Sequence, residues 1–179
     1  MRTLKYAILG LINRGPITGY DITKEFHDRA LANFWNAKHS QVYPELNKLV
    51  EEKLVEFQVI IQGEKMEKKL YSITEKGATE LIEWLKKDEP LEITPKDKFR
   101  LRTYFSDFMP EGVLDKHLKS QLKKHQLKLS YLKDLFEGDY KEIPAPYTKE
   151  FGDYIVLEGA IMRENSYIEW LKKSLSYLK

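Results

Sequence analysis

At residue 55 the apolar period of this chain changes from about 3.6 to 2, and no single element can carry both. Before that point Leu4, Ala7, Ile8 and Leu11 mark one face of a first helix, Ile22 and Phe26 a second, and Val42, Leu46, Leu49 and Val50 a third. After it, Val55, Phe57, Val59 and Ile61 alternate with Glu56, Gln58 and Ile60, and alternation returns at Tyr71 and Ile73 beyond the charged stretch QGEKMEKK. Two strands joined by a polar turn make a hairpin. Ala78, Leu81, Ile82 and Leu85 then restore helical spacing, so the order is three helices, a hairpin and a fourth helix by about residue 87.

The punctuation agrees with this order. NRGPITG stops the first helix near Asn13, Thr18 with Asp21 can cap the second, and Thr74 the fourth. The polar and aromatic stretch ALANFWNAKH connects the second helix to the third.

KKDEPLEITPKDK reads as a linker, giving one domain over 1–88 and another over 95–179. Thr94 is expected to cap the next helix, with Pro95 at its first position and Asp97 in its first turn. That short helix runs to about Phe108. A long one follows from Pro110 to about Phe136, GDYKEIPAP breaks it, and a last helix spans about Tyr147 to Leu178.

On that last helix Leu157, Ile161, Ile168, Leu171, Leu175 and Leu178 form a stripe interrupted at Glu164. A helix of this length with an apolar stripe needs a partner surface, which predicts a homodimer built on those six residues. Its hairpin mate satisfies part of the stripe, leaving Tyr167, Trp170 and Tyr177 as a second band for another chain.

Composition narrows the function. There is no cysteine, so disulfides, thiol catalysis and Cys-ligated zinc are excluded. No Gly-rich phosphate loop, metal-ligand cluster or Ser-His-Asp set is apparent, so no enzyme, cofactor or metal site is expected. No apolar run is long enough to span a membrane and no secretory signal opens the chain, so the expected compartment is the cytoplasm. A net charge of +2 does not announce a polyanionic partner by itself, and any nucleic-acid surface must come from local placement.

Three short helices and a hairpin are the layout of a winged helix-turn-helix, whose third helix enters the DNA major groove. In SQVYPELNKLVEEKLV, Ser40 is expected to cap that helix, which puts Pro44 in or just past the first turn, where a missing N–H costs little. His39, Ser40 and Gln41 form a polar opening suited to phosphate at the positive end of the helix dipole. Gln41 and Asn47 can pair with adenine edges, while Ser40, Tyr43 and Lys48 can reach phosphates. Lys65, Lys68 and Lys69 in the wing turn add cations. Glu45, Glu51 and Glu52 support a competing reading, in which the same scaffold is a protein-protein adaptor with an acidic helix.

Taken together, LKYAILGLI, GPITGYDITKEF, FW, SQVYPELNKLVEEKLV and KKLYSITEKG resemble the PadR family of bacterial transcriptional regulators over residues 4 to about 86. The charged linker and helical remainder are similar to the longer members of that family. The resemblance implies a mainly α protein, a winged helix-turn-helix followed by an antiparallel helical dimerisation region. It further implies a homodimeric repressor on an inverted-repeat promoter operator in double-stranded DNA, some members being released by a small aromatic or drug-like effector. Lys53 departs from the pattern, since the family usually has glycine there. No motif marks a ligand-binding residue; Tyr6, Trp35, Trp84 and Trp170 are as readily core or interface as pocket.

Overall fold

A computed structural model describes residues 2–28, 30–62, 66–91 and 96–178. The chain divides into two compact units, Met1–Pro90 and Leu91–Lys179, each taken by itself below. The architecture is mainly helical with one small antiparallel sheet. Among the described residues no helix is long and apolar enough to cross a membrane.

The first unit runs α1 (Thr3–Asn13), β1 (Ile17–Thr18), α2 (Gly19–Asp28), a 3-10 turn (Ala30–Asn33), α3 (His39–Glu51), β2 (Val55–Gln62), β3 (Met66–Ile73) and α4 (Glu75–Leu85). This is the order the change of period predicts, with one addition. β1 lies inside the NRGPITG stop and pairs with β3, giving the sheet order β1-β3-β2. Two residues are too few to show a period.

The apolar faces converge. Ile8, Leu9 and Ile12 of α1, Ile22 and Phe26 of α2, and Val42, Leu46 and Leu49 of α3 are buried with Leu54, Val55, Tyr71 and Leu81. The caps form as their residue types suggest. Thr18 Oγ1 accepts from the Asp21 N–H at 3.2 Å and donates to its carboxylate at 2.6 Å, and Thr74 Oγ1 accepts from the Gly77 N–H at 3.1 Å.

Between α3 and β2 the chain reverses through Lys53, whose φ of 58° places an L-residue in the left-handed region. The Leu54 N–H donates to the Leu49 carbonyl at 2.9 Å and the Lys53 N–H to the Val50 carbonyl at 3.0 Å, the paired bonds of a Schellman helix end. That motif usually recruits glycine because its left-handed residue gains nothing from a Cβ. The departure at Lys53 therefore changes the residue and leaves the turn in place.

The second unit holds α5 (Lys98–Tyr104), a 3-10 turn (Ser106–Phe108), α6 (Val113–Asp139) and α7 (Lys149–Ser176). The expectations for Thr94 and Pro95 lie outside the described residues. Asp97 is the cap of α5 rather than part of its first turn, accepting from the Phe99 N–H at 2.8 Å and the Arg100 N–H at 3.1 Å. Two bonds to the positive helix end, the Arg100 N–H foremost, hold its carboxyl below the usual range. α6 begins at Val113 after Gly112, whose φ is 76°.

α6 and α7 pack as an antiparallel hairpin: Leu132 is buried with Leu157 and Ala160, and His125 meets Glu164. This packing reassigns part of the terminal stripe. Leu157, Ile168 and Leu171, expected at a dimer interface, are buried within a single chain, with Leu171 at 0% exposure. Ile161 and Leu175 are half-buried, and only Leu178 of the six is well exposed.

The interruption at Glu164 has a structural use. Its buried carboxylate sits 2.5 Å from His125 Nδ1 and 2.9 Å from Lys128 Nζ. Burial pushes this carboxyl up, and the bonds to His125 and Lys128 more than reverse the effect, so it rests below the usual range. Lys128 makes this bond from an otherwise exposed position on α6. Tyr167 stacks on His125 with ring centroids 4.1 Å apart and donates to Asp97 at 3.2 Å, tying α5 to the hairpin.

Candidate nucleic-acid interface

α3 separates its two faces cleanly. Val42, Leu46 and Leu49 point into the core, whereas Ser40, Pro44, Asn47, Lys48 and Glu51 recur at three- and four-residue spacing and are all exposed. His39 and Gln41 add an exposed first turn.

The start of α3 differs from expectation. The helix opens at His39 with Lys38 as its N-cap, and Ser40 lies inside the first turn. Gln41 carries the capping function: its side-chain oxygen accepts from the Lys38 N–H at 2.9 Å. The acceptor half of the Gln41 amide is therefore engaged, leaving its NH2 group free for outside contacts. Pro44 then falls in the second turn and deprives the Ser40 carbonyl of its intrahelical donor, yet the helix continues to Glu51.

Tyr43 is half-buried and lies against Gly19 at the start of α2, where an added Cβ would stand 3.0 Å from its ring and 3.2 Å from its hydroxyl. The His39 ring covers it with centroids 4.3 Å apart. Tyr43 thus braces α3 against α2 while remaining partly exposed.

Glu45 of α3 and Glu52 just past its end are used internally. Arg2 Nε donates to Glu45 at 3.0 Å and Arg2 also pairs with Glu52, while Lys5 reaches Glu52 at 3.1 Å and Glu80 at 2.5 Å. Burial alone would lower Lys5, but Glu80 and Glu52 outweigh it and hold the ammonium above its usual range. The same bonds, that from Arg2 first, hold the Glu52 carboxyl below its own. Of the three acids behind the adaptor reading, only Glu51 is exposed, so the acidic surface that reading needs does not assemble.

The wing is a regular ladder from Val55 opposite Ile73 to Gln62 opposite Met66. Lys68 and Lys69 belong to β3 rather than to its turn, and Lys65 lies outside the described residues. As neighbours on a strand they face opposite sides of the hairpin. Lys69 Nζ lies 4.2 Å from the Phe57 ring centroid, and Lys68 Nζ lies 5.9 Å from that of Tyr20 on α2. The wing leaves the core quickly: exposure along its apolar face rises from 36% at Phe57 to 76% at Ile61.

Of the aromatics considered for a pocket, Tyr6 and Trp84 stack with centroids 4.8 Å apart and, with Trp35, pack against the first unit's core; within the second unit Trp170 stands edge-on to Phe99 and Tyr167. Lys38, the observed N-cap, lies two residues before the expected cap at Ser40, and Tyr20 and Lys24 of α2 come near the wing only because β1 pairs with β3.

Comparison with known proteins places this geometry. Residues 8–83 match the transcriptional regulator PadR-like family, and residues 95–179 match the virulence activator alpha C-term family. The negative transcriptional regulator PadR of Bacillus subtilis is 43% identical, over 99% of this chain and 98% of that one. A crystal structure of B. subtilis PadR in complex with operator DNA superposes with a TM-score of 0.94 at 42% identity, covering 99% of this chain and 100% of that one. One in complex with p-coumaric acid gives 0.85 at 39% identity, covering 98% of each.

Proposed function

This chain belongs to the PadR-like family of transcriptional regulators, and from that premise we propose that it is a repressor that acts as a homodimer and reads an inverted-repeat operator with α3. The observation that carries the reading is the exposed stripe of α3, polar and without a second acidic residue, opposite a fully buried apolar face. Asn47 supplies the paired donor and acceptor that match an adenine edge, and the Gln41 NH2 donates to an acceptor on a neighbouring base. Lys48, His39 and Ser40 take phosphates, at a helix end whose free N–H groups favour anions. Lys69 reaches backbone from the wing.

Two copies would present their α3 helices about 34 Å apart, so that both enter successive major grooves on one side of the duplex. Binding there would exclude polymerase from a promoter, within the cytoplasm. The second unit supplies the pairing surface through Leu178, Ile161 and Leu175 together with Trp170 and Tyr177. Because B. subtilis PadR is known in complex with p-coumaric acid, the effector of this chain is proposed to be a small aromatic acid that weakens operator binding.

The test is recovery of DNA from fragmented genomic DNA by the purified protein at near-physiological salt, followed by titration of a recovered duplex. A shared inverted repeat, saturation at two chains per duplex and release by p-coumarate are expected. Recovery of random fragments, or saturation by one chain per duplex, would overturn the repressor reading; binding indifferent to p-coumarate would overturn the effector.

A further inference from the structure

We infer that Arg2, the residue just before α1, is a positioning residue for operator binding: by engaging Glu45 and Glu52 it keeps Lys48 of α3 clear of acids and available to a phosphate. The inference rests on the operator reading, in which Lys48 meets the DNA backbone, and adds to it a residue that acts through another.

Lys48 stands among acids. Glu45 lies three residues before it, Glu51 three after and Glu52, the C-cap of α3, four after. On a helix such spacings bring Cβ atoms to about 5 to 6 Å, close enough for an ion pair. Glu45 and Glu52 are separated by about two turns and so line one flank of α3, beside Lys48 and next to the buried face of Val42, Leu46 and Leu49. Yet among the described residues none of the three acids pairs with Lys48.

One guanidinium engages two of them. Arg2 Nη2 lies 2.5 Å from the Glu45 carboxylate and Nε donates to it at 3.0 Å, while Nη1 donates to Glu52. Lys5, in the first turn of α1, takes the other Glu52 oxygen at 3.1 Å and reaches Glu80 of α4 at 2.5 Å. Glu52 thus has two cations, whereas Arg2 is the one cation on Glu45 among the described residues.

The Glu45 side chain is buried, so removing Arg2 leaves an uncompensated carboxylate, a cost large enough to drive it toward solvent and the nearest cation. That cation is Lys48, three residues on, with the acid on the favourable N-terminal side. Glu51 is exposed already and bears no such cost. The helix itself does not depend on the ion pairs: Val42, Leu46 and Leu49 are fully buried, and Tyr43 holds the opposite flank against Gly19. Loss of Arg2 therefore falls on the charge of α3 rather than on its seating.

The experiment is a double-variant cycle, read by fluorescence anisotropy of the full chain on a recovered genomic duplex and a scrambled duplex of equal length, between about 50 mM and 200 mM salt. Lys48→Ala should make the log–log salt slope shallower by about 1 on both duplexes, and Arg2→Gln should do nearly the same. Combining them should lose no more than Lys48→Ala alone, because both act on one phosphate contact. A further loss of about 1 in the combination would show that Arg2 meets DNA by itself and would overturn the inference, as would a wild-type slope in Arg2→Gln. A wild-type slope in Lys48→Ala would overturn the phosphate contact on which the inference rests.

A second readout needs no DNA. Acylation of the Lys48 amine, followed by mass spectrometry, should slow severalfold in Arg2→Gln and return to the wild-type rate when Glu45→Gln is added. An unchanged rate in Arg2→Gln would refute the capture of Lys48 by Glu45. A wild-type protein that binds neither duplex would overturn the operator reading, and the acylation rates would still decide whether Arg2 keeps Lys48 free.

Discussion

Tyr43 of α3 rests on Gly19 of α2 so closely that the glycine's missing side chain defines the contact, a Cβ there coming within 3.0 Å of the ring. Gly19→Ala forces Tyr43 aside and should lower stability by about 1 to 2 kcal/mol, the usual cost of overpacking. Thermal unfolding followed by circular dichroism reads this directly. Gly19→Ala combined with Tyr43→Ala should recover none of the loss if Tyr43 packing dominates, because the double variant replaces a clash with a void.

The opposite sign is expected at Lys53. Its left-handed conformation costs an L-residue roughly 1 to 2 kcal/mol, and glycine removes that cost while adding unfolded-state entropy of about 0.5 to 1 kcal/mol. Lys53→Gly should therefore stabilise the first unit by about 0.5 to 1 kcal/mol, measured as a higher urea midpoint with unchanged slope. A lower midpoint would show that the Schellman turn is not the native one.

Gly77 admits no side chain. A Cβ would stand 2.0 Å from the Leu54 carbonyl oxygen, and backbone cannot step aside as a flexible side chain can. Gly77→Ala should cost about 3 kcal/mol, at the upper end of overpacking, by displacing α4 from the start of β2. Loss of soluble yield together with a fall in the unfolding midpoint checks it, and a midpoint within a degree of wild type would contradict it.

On α3, Lys48→Ala should weaken cognate and random duplexes alike, since a phosphate contact is blind to sequence. Asn47→Ala should cost about 1 to 3 kcal/mol on the cognate site only and relax preference at one base pair. Selection of bound duplexes from a randomised pool separates the two, and identical profiles for both variants would refute the division of labour.

Three carboxyls, Glu52, Asp97 and Glu164, are held below their usual range in the folded protein. Each contributes stability that is fully present above the ordinary carboxylate pKa of about 4 and is lost as pH falls through its lower folded value. The urea midpoint should therefore be level from neutral pH to about 5 and fall below about 4. Glu164→Gln should flatten the fall for the second unit while lowering its midpoint at neutral pH, because Lys128 loses its charge partner. A variant with the wild-type acid profile would show that Glu164 does not titrate with folding.

Local pattern alone determined the helices and the wing, because each depends on residues within a turn or two of one another, whereas β1 exists only through its pairing with β3. The stripes of α1 to α4, the alternation of the wing, and the caps at Thr18 and Thr74 are all decided by spacing and by side chains three residues from the N–H they satisfy. The left-handed turn at Lys53 was not legible, since a lysine there gives no sign of the conformation that glycine favours. What acts at the surface was settled elsewhere in the chain. Glu45 looks like an exposed acid until Arg2, 43 residues earlier, turns it inward, and Glu164 looks like a gap in a stripe until His125, 39 residues earlier, meets it. Lys68 and Lys69 are neighbours in sequence and opposites in space because a strand alternates its sides, while Lys24 and Lys68 are brought together only by the pairing of a two-residue strand. Spacing along the chain decides which bonds a backbone can make with itself; only closure of the fold decides which charges remain to face a partner.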